Sequence, residues 1–123
     1  MNIAVIGAGY VGLVTGACFA ELGNHVTCID VDLDKISRLK QGVLPIYEPG
    51  LDAMVASSVS ENRLHFATDL TQLSEKPQVI FIAVGTPGDE DGSADMRYVL
   101  NAAKAIGNYL TEDCVIVDKS TVP

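Results

Sequence analysis

The sequence is poor in basic residues, in cysteine and in long apolar runs, and each shortage excludes a class of protein. Eight lysines and arginines stand against sixteen acidic residues, so the net charge of -8 repels nucleic acid and anionic membranes. Three cysteines without CxxC spacing argue against a disulfide framework and against a zinc site. No apolar run approaches the ~20 residues of a bilayer span, and no basic segment of a signal peptide opens the chain. We therefore expect a cytoplasmic protein that binds neither nucleic acid nor membrane.

What the chain does contain is enough apolar sequence for one globular domain over residues 1–123. Its 123 residues are 48% hydrophobic, and runs of strand length recur along them. These runs are nearly continuous rather than alternating, as in strands that are covered on both faces of a parallel sheet. The predicted strands are Asn2 to Ile6, His25 to Ile29, Leu64 to Ala67, Val79 to Val84 and Val115 to Val117.

Helical spacing fills the segments between these strands. The segment from Val11 to Leu22 carries a small residue at every fourth position, which lets a helix approach a sheet closely. Asp32 is placed to cap a second helix, and Gly42 to close it. Two further apolar stripes are Leu51, Met54, Val55 and Val59, and Val99, Leu100, Ala103, Ile106 and Leu110. Right-handed crossovers predict an α/β, doubly wound parallel sheet of the Rossmann type with strand order 3-2-1-4-5.

A glycine motif follows the first predicted strand and opens the first helix. In this G-x-G-x-x-G pattern, Gly7 allows a tight turn, Gly9 leaves room for a diphosphate, and Gly12 lets helix and strand pack closely. Asp30 ends the second strand 18 residues after Gly12, where a carboxylate accepts hydrogen bonds from the adenosine ribose and repels a 2′-phosphate. The pattern predicts a site for NAD rather than NADP.

Several other polar residues stay ambiguous on spacing alone. Lys35 is within reach of the ribose, although a solvated surface lysine fits its position better, and the Tyr10 ring either covers a cofactor or shields the helix start. At the end of the fourth strand, the turn around Thr86 either contacts the cofactor or only redirects the chain. His25 and His65 have no catalytic partner at a diagnostic spacing, so we interpret them as structural. The acidic residues between 89 and 95 fit no metal-binding pattern, and we predict no metal.

Five segments together resemble a known family in their order and spacing. They read GAGYVGLVTG, LPIYEPGL, AVGTP, DGSADMRYV and VDKSTVP. The chain resembles, over all of its residues, the N-terminal part of the UDP-glucose/GDP-mannose dehydrogenase family, and most closely the UDP-glucose 6-dehydrogenases. The resemblance implies an enzyme that oxidises the 6-alcohol of a nucleotide sugar to a carboxylate with two NAD. Such enzymes act in nucleotide-sugar and polysaccharide biosynthesis.

The resemblance also implies roles for individual residues. Matched by motif position, the cofactor-binding residues are Gly7, Gly9, Tyr10, Val11, Gly12, Asp30, Lys35, Thr86 and Thr121. Thr121 would in addition orient a catalytic water. The cysteine nucleophile of the family belongs to a later motif, GGxCxPKD, and Cys18, Cys28 and Cys114 match no such motif. We therefore expect this chain to be an NAD-binding part that is inactive alone, followed in the whole protein by more of the sheet, a connecting helix and a UDP-binding domain.

Two alternatives stay open at this level. A non-catalytic, NAD-sensing regulatory module also begins with a glycine motif and an acid after the second strand. The NAD-binding domain of another dehydrogenase, acting on GDP-mannose or a hydroxy acid, shares the same cofactor pattern, since a fold does not determine its substrate. For the whole protein the resemblance implies a small nucleotide-sugar substrate and a homodimer or higher oligomer.

Overall fold

A five-stranded parallel sheet forms the centre of the fold in the computed structural model, which describes residues 1–44, 48–73, 76–84, 100, 103–104, 106–107 and 114–118. The strands are β1 (Asn2–Ile6), β2 (His25–Ile29), β3 (Leu64–Ala67), β4 (Val79–Ile82) and β5 (Val115–Asp118). They lie in the order β3-β2-β1-β4-β5, and every neighbouring pair is parallel. The predicted doubly wound topology and strand order are confirmed.

Among the described residues, three helices cover one face of this sheet. They are α1 (Tyr10–Glu21), α2 (Leu33–Lys40) and α3 (Leu51–Ser60), and each buries apolar side chains in one cluster with the strands. The small residues of α1 do what their spacing predicts, because a Cβ added to Gly16 would lie 2.7 Å from Sγ of Cys28 in β2. At the start of α2 the Asp32 side chain accepts a hydrogen bond from the Lys35 amide, so this predicted cap is confirmed.

The opposite face of the sheet carries a second apolar cluster. It combines residues of β1, β2, β3 and β4 with Leu70 of a short 3₁₀ helix (Leu70–Gln72) and with Ile106, which is buried. Clusters on both faces explain why the strand sequences are continuously apolar. In the described ranges, no helix is long and apolar enough to cross a membrane.

Several details of the predicted elements are wrong. Strand β4 ends at Ile82 instead of Val84, beside the point where its neighbour β1 ends at Ile6 and the chain turns. Val59, predicted as part of the apolar stripe of α3, is exposed, because the buried positions of that helix are residues 51, 55 and 58. Of the last predicted stripe, Leu100 and Ala103 are exposed, whereas Ile106 is buried.

Ser58 is therefore a polar residue within the apolar core. It is fully buried, and its Oγ has no hydrogen-bond partner within the part of the chain that the structure describes. We expect Ser58→Ala to raise the free energy of unfolding by about 1 kcal/mol, since it removes an unsatisfied hydroxyl and improves helix propensity. Denaturant unfolding measures this change.

The matched control for this variant is Ser57→Ala, on the exposed side of the same helix. It should gain only the propensity difference of about 0.5 kcal/mol or less. A Ser58→Ala protein that is less stable than the parent would show that the hydroxyl makes a favourable contact.

Candidate functional site

The turn between β1 and α1 is held against the ends of the two neighbouring strands. Gly7 has a φ of +105°, a conformation that side chains rarely allow, and its amide donates a hydrogen bond to the Ile29 carbonyl of β2 over 2.6 Å. A Cβ on Gly7 would lie 2.5 Å from the Ala83 carbonyl oxygen, just past the end of β4. The turn therefore sits between the carboxyl ends of β2 and β4, where ligands bind in open α/β sheets.

The other two glycines of the motif differ in what a side chain would meet. A Cβ on Gly12 would lie 1.7 Å from the Gly7 carbonyl oxygen, so only glycine allows α1 to begin this close to β1. A Cβ on Gly9 would meet no atom of the described residues within 4 Å. Gly12 is thus explained by packing within the protein, whereas the described residues leave the space in front of Gly9 open.

The start of α1 is suited to an anion. Gly9 occupies the N-cap position with no side-chain cap, and the first turn of the helix contains no acidic residue. The first amides of a helix lack acceptors within it, and the helix dipole adds partial positive charge at the same end. An open backbone surface beside such amides fits a diphosphate, even in a protein with a net charge of -8.

Asp30, directly after β2, turns its carboxylate toward this turn. Its Oδ2 accepts a hydrogen bond from the Ala8 amide over 2.9 Å, and its Oδ1 accepts one from the Asp32 amide over 2.9 Å. The side chain is 14% exposed, so it is fixed in place yet reachable from the side of the turn. The structure thus places the predicted ribose acceptor next to the predicted diphosphate turn.

Lys35 also belongs to this site by its position. Its Nζ lies 3.3 Å from Asp30 Oδ2, and its side chain is 30% exposed. The ammonium therefore lies beside the Asp30 carboxylate and offsets part of its charge. A direct contact between Lys35 and a ribose stays a prediction.

Tyr10 and Val11, at the start of α1, are partly exposed beside the open turn. The Tyr10 hydroxyl donates a hydrogen bond to Oε2 of Glu48 over 3.2 Å. This bond and the Glu48 charge raise the pKa of Tyr10 above its ordinary value. Sequence reasoning did not single out Glu48, since the two residues are 38 positions apart and no local pattern links them.

Two predicted site residues lie outside the described residues. They are Thr86, which follows β4 in the sequence, and Thr121, which follows β5. Their predicted contacts with the cofactor, and the predicted role of Thr121 in orienting a water, stay predictions.

The cysteines do not resemble a nucleophile. Cys28 is fully buried in β2, and burial raises the pKa of its thiol to about 12, so it stays protonated at neutral pH. Burial also raises the pKa of Cys114, and Cys18 lies exposed on α1, the helix that covers one face of the sheet. Across the described parts of the chain, no group of three or more potential metal ligands occurs.

The two histidines lie at the opposite end of the sheet from the glycine turn. They line a cavity of about 270 Å³ together with Asn2, Ile3, Thr27, Asn62, Leu73 and Pro77, at the amino ends of the strands. Nε2 of His65 lies 3.2 Å from the Asn62 carbonyl oxygen, a backbone contact of the kind a structural histidine makes. Neither histidine belongs to the site around Gly9 and Asp30.

Comparison with known proteins gives one consistent result. The sequence model of the UDP-glucose/GDP-mannose dehydrogenase family, NAD binding domain, matches residues 1–123. A UDP-glucose 6-dehydrogenase of Pseudomonas aeruginosa is 50% identical over 123 residues, which are 100% of this chain and 27% of the relative. The UDP-glucose 6-dehydrogenase TuaD of Bacillus subtilis is 55% identical over 122 residues, 99% of this chain and 26% of the relative. The chain thus spans about a quarter of the length of these relatives.

Solved structures agree with this result. A UDP-glucose dehydrogenase from Pyrobaculum islandicum superposes with a TM-score of 0.90 at 42% identity, over 99% of this chain and 29% of that one. A GDP-mannose dehydrogenase from Pseudomonas aeruginosa, solved as a ternary complex, superposes with a TM-score of 0.91 at 36% identity, with the same coverage of 99% and 29%.

The contrast between the two glycines gives a testable prediction. Gly12→Ala should lower the free energy of unfolding by about 3 kcal/mol, because its Cβ overlaps the Gly7 carbonyl. Gly9→Ala is the matched control. Gly9 has a φ of -85°, which any residue adopts, and its Cβ meets no described atom, so thermal unfolding should match that of the parent. Equal losses in the two variants would contradict the geometry of the turn.

Proposed function

The chain belongs to the UDP-glucose/GDP-mannose dehydrogenase family as its NAD-binding domain, and from this premise we propose that the whole protein oxidises UDP-glucose to UDP-glucuronate with two NAD. NAD is the cofactor of the domain, and the substrate is a small molecule. We propose UDP-glucose as the substrate, rather than another nucleotide sugar, because relatives at 50% and 55% identity carry the name UDP-glucose 6-dehydrogenase.

One observation carries the cofactor part of this proposal. The Asp30 carboxylate is hydrogen-bonded to the Ala8 amide, in the same turn where a Cβ on Gly9 would meet none of the described residues. A diphosphate on the α1 amides therefore brings the adjoining ribose toward Asp30. The open backbone recognises the charge, and the carboxylate recognises the sugar.

The charges around Asp30 favour NAD over NADP. A 2′-phosphate would approach a carboxylate that is held in place by two backbone amides and would meet its negative charge. Lys35 does not offer a free cation to such a phosphate, because its ammonium is paired with Asp30. Asp32, two residues after Asp30, adds further negative charge at this end of β2.

When bound, NAD would supply the hydride acceptor for two successive oxidations at carbon 6 of the sugar. The residues of this chain hold the cofactor: the turn residues Gly7 to Gly12 bind the diphosphate, and Asp30 with Lys35 orients the adenosine ribose. By resemblance to the family, Thr86 would contact the cofactor and Thr121 would orient the water that hydrolyses a thioester.

The thiol that traps the intermediate aldehyde would come from another part of the whole protein. Cys28 is protonated and buried, while Cys18 lies on the helix layer of α1, away from the carboxyl ends of the strands. Addition of a thiolate to the aldehyde gives a thiohemiacetal, the second hydride transfer gives the thioester, and hydrolysis frees both carboxylate and thiol. We therefore expect the chain alone to bind NAD but not to oxidise the sugar.

The proposal also includes the location, the oligomeric state and the partners of the whole protein. We expect a cytoplasmic homodimer or higher oligomer that binds neither nucleic acid nor membrane, in keeping with the net charge of -8. A purely NAD-sensing regulatory module is less well supported, since the relatives named above are dehydrogenases.

Calorimetric titration with NAD and NADP tests the cofactor proposal. The whole protein should bind NAD more tightly than NADP, and Asp30→Asn should weaken NAD binding roughly 10- to 100-fold, since it removes charge-assisted bonds to the ribose. The same change should reduce the difference between the affinities for NAD and for NADP.

Asp34→Asn, which removes an equal charge from an exposed position on α2, is the matched control and should bind NAD as the parent does. Melting curves of both variants check that the fold is retained. A parent that prefers NADP, or an Asp30→Asn protein with unchanged NAD affinity, would contradict the proposal. Oxidation of UDP-glucose by the whole protein, with two NADH formed per sugar, tests the proposed reaction.

A further inference from the structure

The Tyr10 side chain stands at the edge of the cofactor site with little packing to hold it. Tyr10 is the first residue of α1, directly after the open position at Gly9, and it is 53% exposed. A half-exposed ring at a helix start has several accessible rotamers, and fixing one of them costs conformational entropy. The ring therefore needs a specific contact if it is to present one surface to a ligand.

Glu48 supplies that contact from a fixed position. Its backbone carbonyl accepts a hydrogen bond from the Leu51 amide over 3.0 Å, at the start of α3. Leu51 is 4% exposed and belongs to the same apolar cluster as Leu13 of α1. The donor on α1 and the acceptor before α3 are thus both anchored on helices that share one core.

We propose that Glu48 is a positioning residue, which holds the Tyr10 ring beside the dinucleotide-binding turn through the 3.2 Å bond from the Tyr10 hydroxyl to Glu48 Oε2. The inference rests on the proposed function, since it is the NAD site that the ring borders. Glu48 acts through Tyr10 and is not itself a ligand of the cofactor.

The charge of Glu48 supports an indirect role. A carboxylate near an anion site repels phosphate, so a residue that contacted the diphosphate directly would not be acidic. A carboxylate, however, accepts a hydrogen bond from a phenol more strongly than a neutral oxygen does. It also disfavours tyrosinate, which keeps the Tyr10 hydroxyl a donor well above neutral pH.

The experiment compares Glu48→Gln, Glu48→Ala, Tyr10→Phe and the double variant of Tyr10→Phe with Glu48→Ala, all in the whole protein. Glu48→Ala and Tyr10→Phe should each weaken NAD binding about three- to tenfold. The double variant should lose no more than either single change, because both remove the same bond. Glu48→Gln should retain most of the affinity, since an amide oxygen still accepts the bond.

Tyrosinate absorbance over a pH titration gives a readout that does not involve NAD. The step of Tyr10, assigned as the one that Tyr10→Phe removes, should move to lower pH in Glu48→Gln and Glu48→Ala, because a neighbouring negative charge is lost. Glu21→Gln, at the far end of α1, is the matched control and should change neither the step nor the NAD affinity.

The outcomes separate this inference from the proposed function. A parent that binds NAD, with variants whose losses simply add or whose Tyr10 step does not move, overturns the positioning role alone. So does a shifted Tyr10 step with unchanged NAD affinity in Glu48→Ala. A parent that does not bind NAD overturns the proposed function, and the positioning role falls with it.

Discussion

The close approach of Gly12 to the Gly7 carbonyl is the constraint on which the rest of the site depends. Because residue 12 has no Cβ, α1 begins immediately beside the end of β1. Its first amides then face the opening at Gly9, between the carboxyl ends of β2 and β4. A larger residue would push the helix away from the strand and separate these amides from Asp30, so the packing of one glycine determines the geometry of both halves of the cofactor site.

Asp30 connects this turn to the next strand. Its backbone amide donates a hydrogen bond to Ala67 of β3, and its carboxylate accepts one from Ala8 in the turn. The residue thus links three neighbouring segments while it stays reachable, and Lys35 compensates its charge. Such preorganisation lowers the entropy that ribose binding would otherwise cost, since the acceptor is already oriented.

The elements and the core of the site follow from local sequence patterns. Continuous apolar strands predict the parallel sheet, and the glycine motif with Asp30 predicts the turn and its acceptor, because these features depend on residues close in the chain. The partner of Lys35 was ambiguous, since a flexible side chain reaches either solvent or Asp30. The bond from Tyr10 to Glu48 depends on how α1 and α3 pack together, which no local pattern encodes. The burial of Ser58 also depends on how α3 packs, because the rotation of the helix, rather than side-chain polarity, determines which residue faces the core.

The most direct test of the account is an experimental structure of the protein with NAD bound. We expect a diphosphate on the backbone at Gly9 and the start of α1, with a ribose hydroxyl about 2.6 to 3.2 Å from an Asp30 carboxylate oxygen. A cofactor whose diphosphate lies elsewhere, or an Asp30 carboxylate turned away from the ribose, would contradict it.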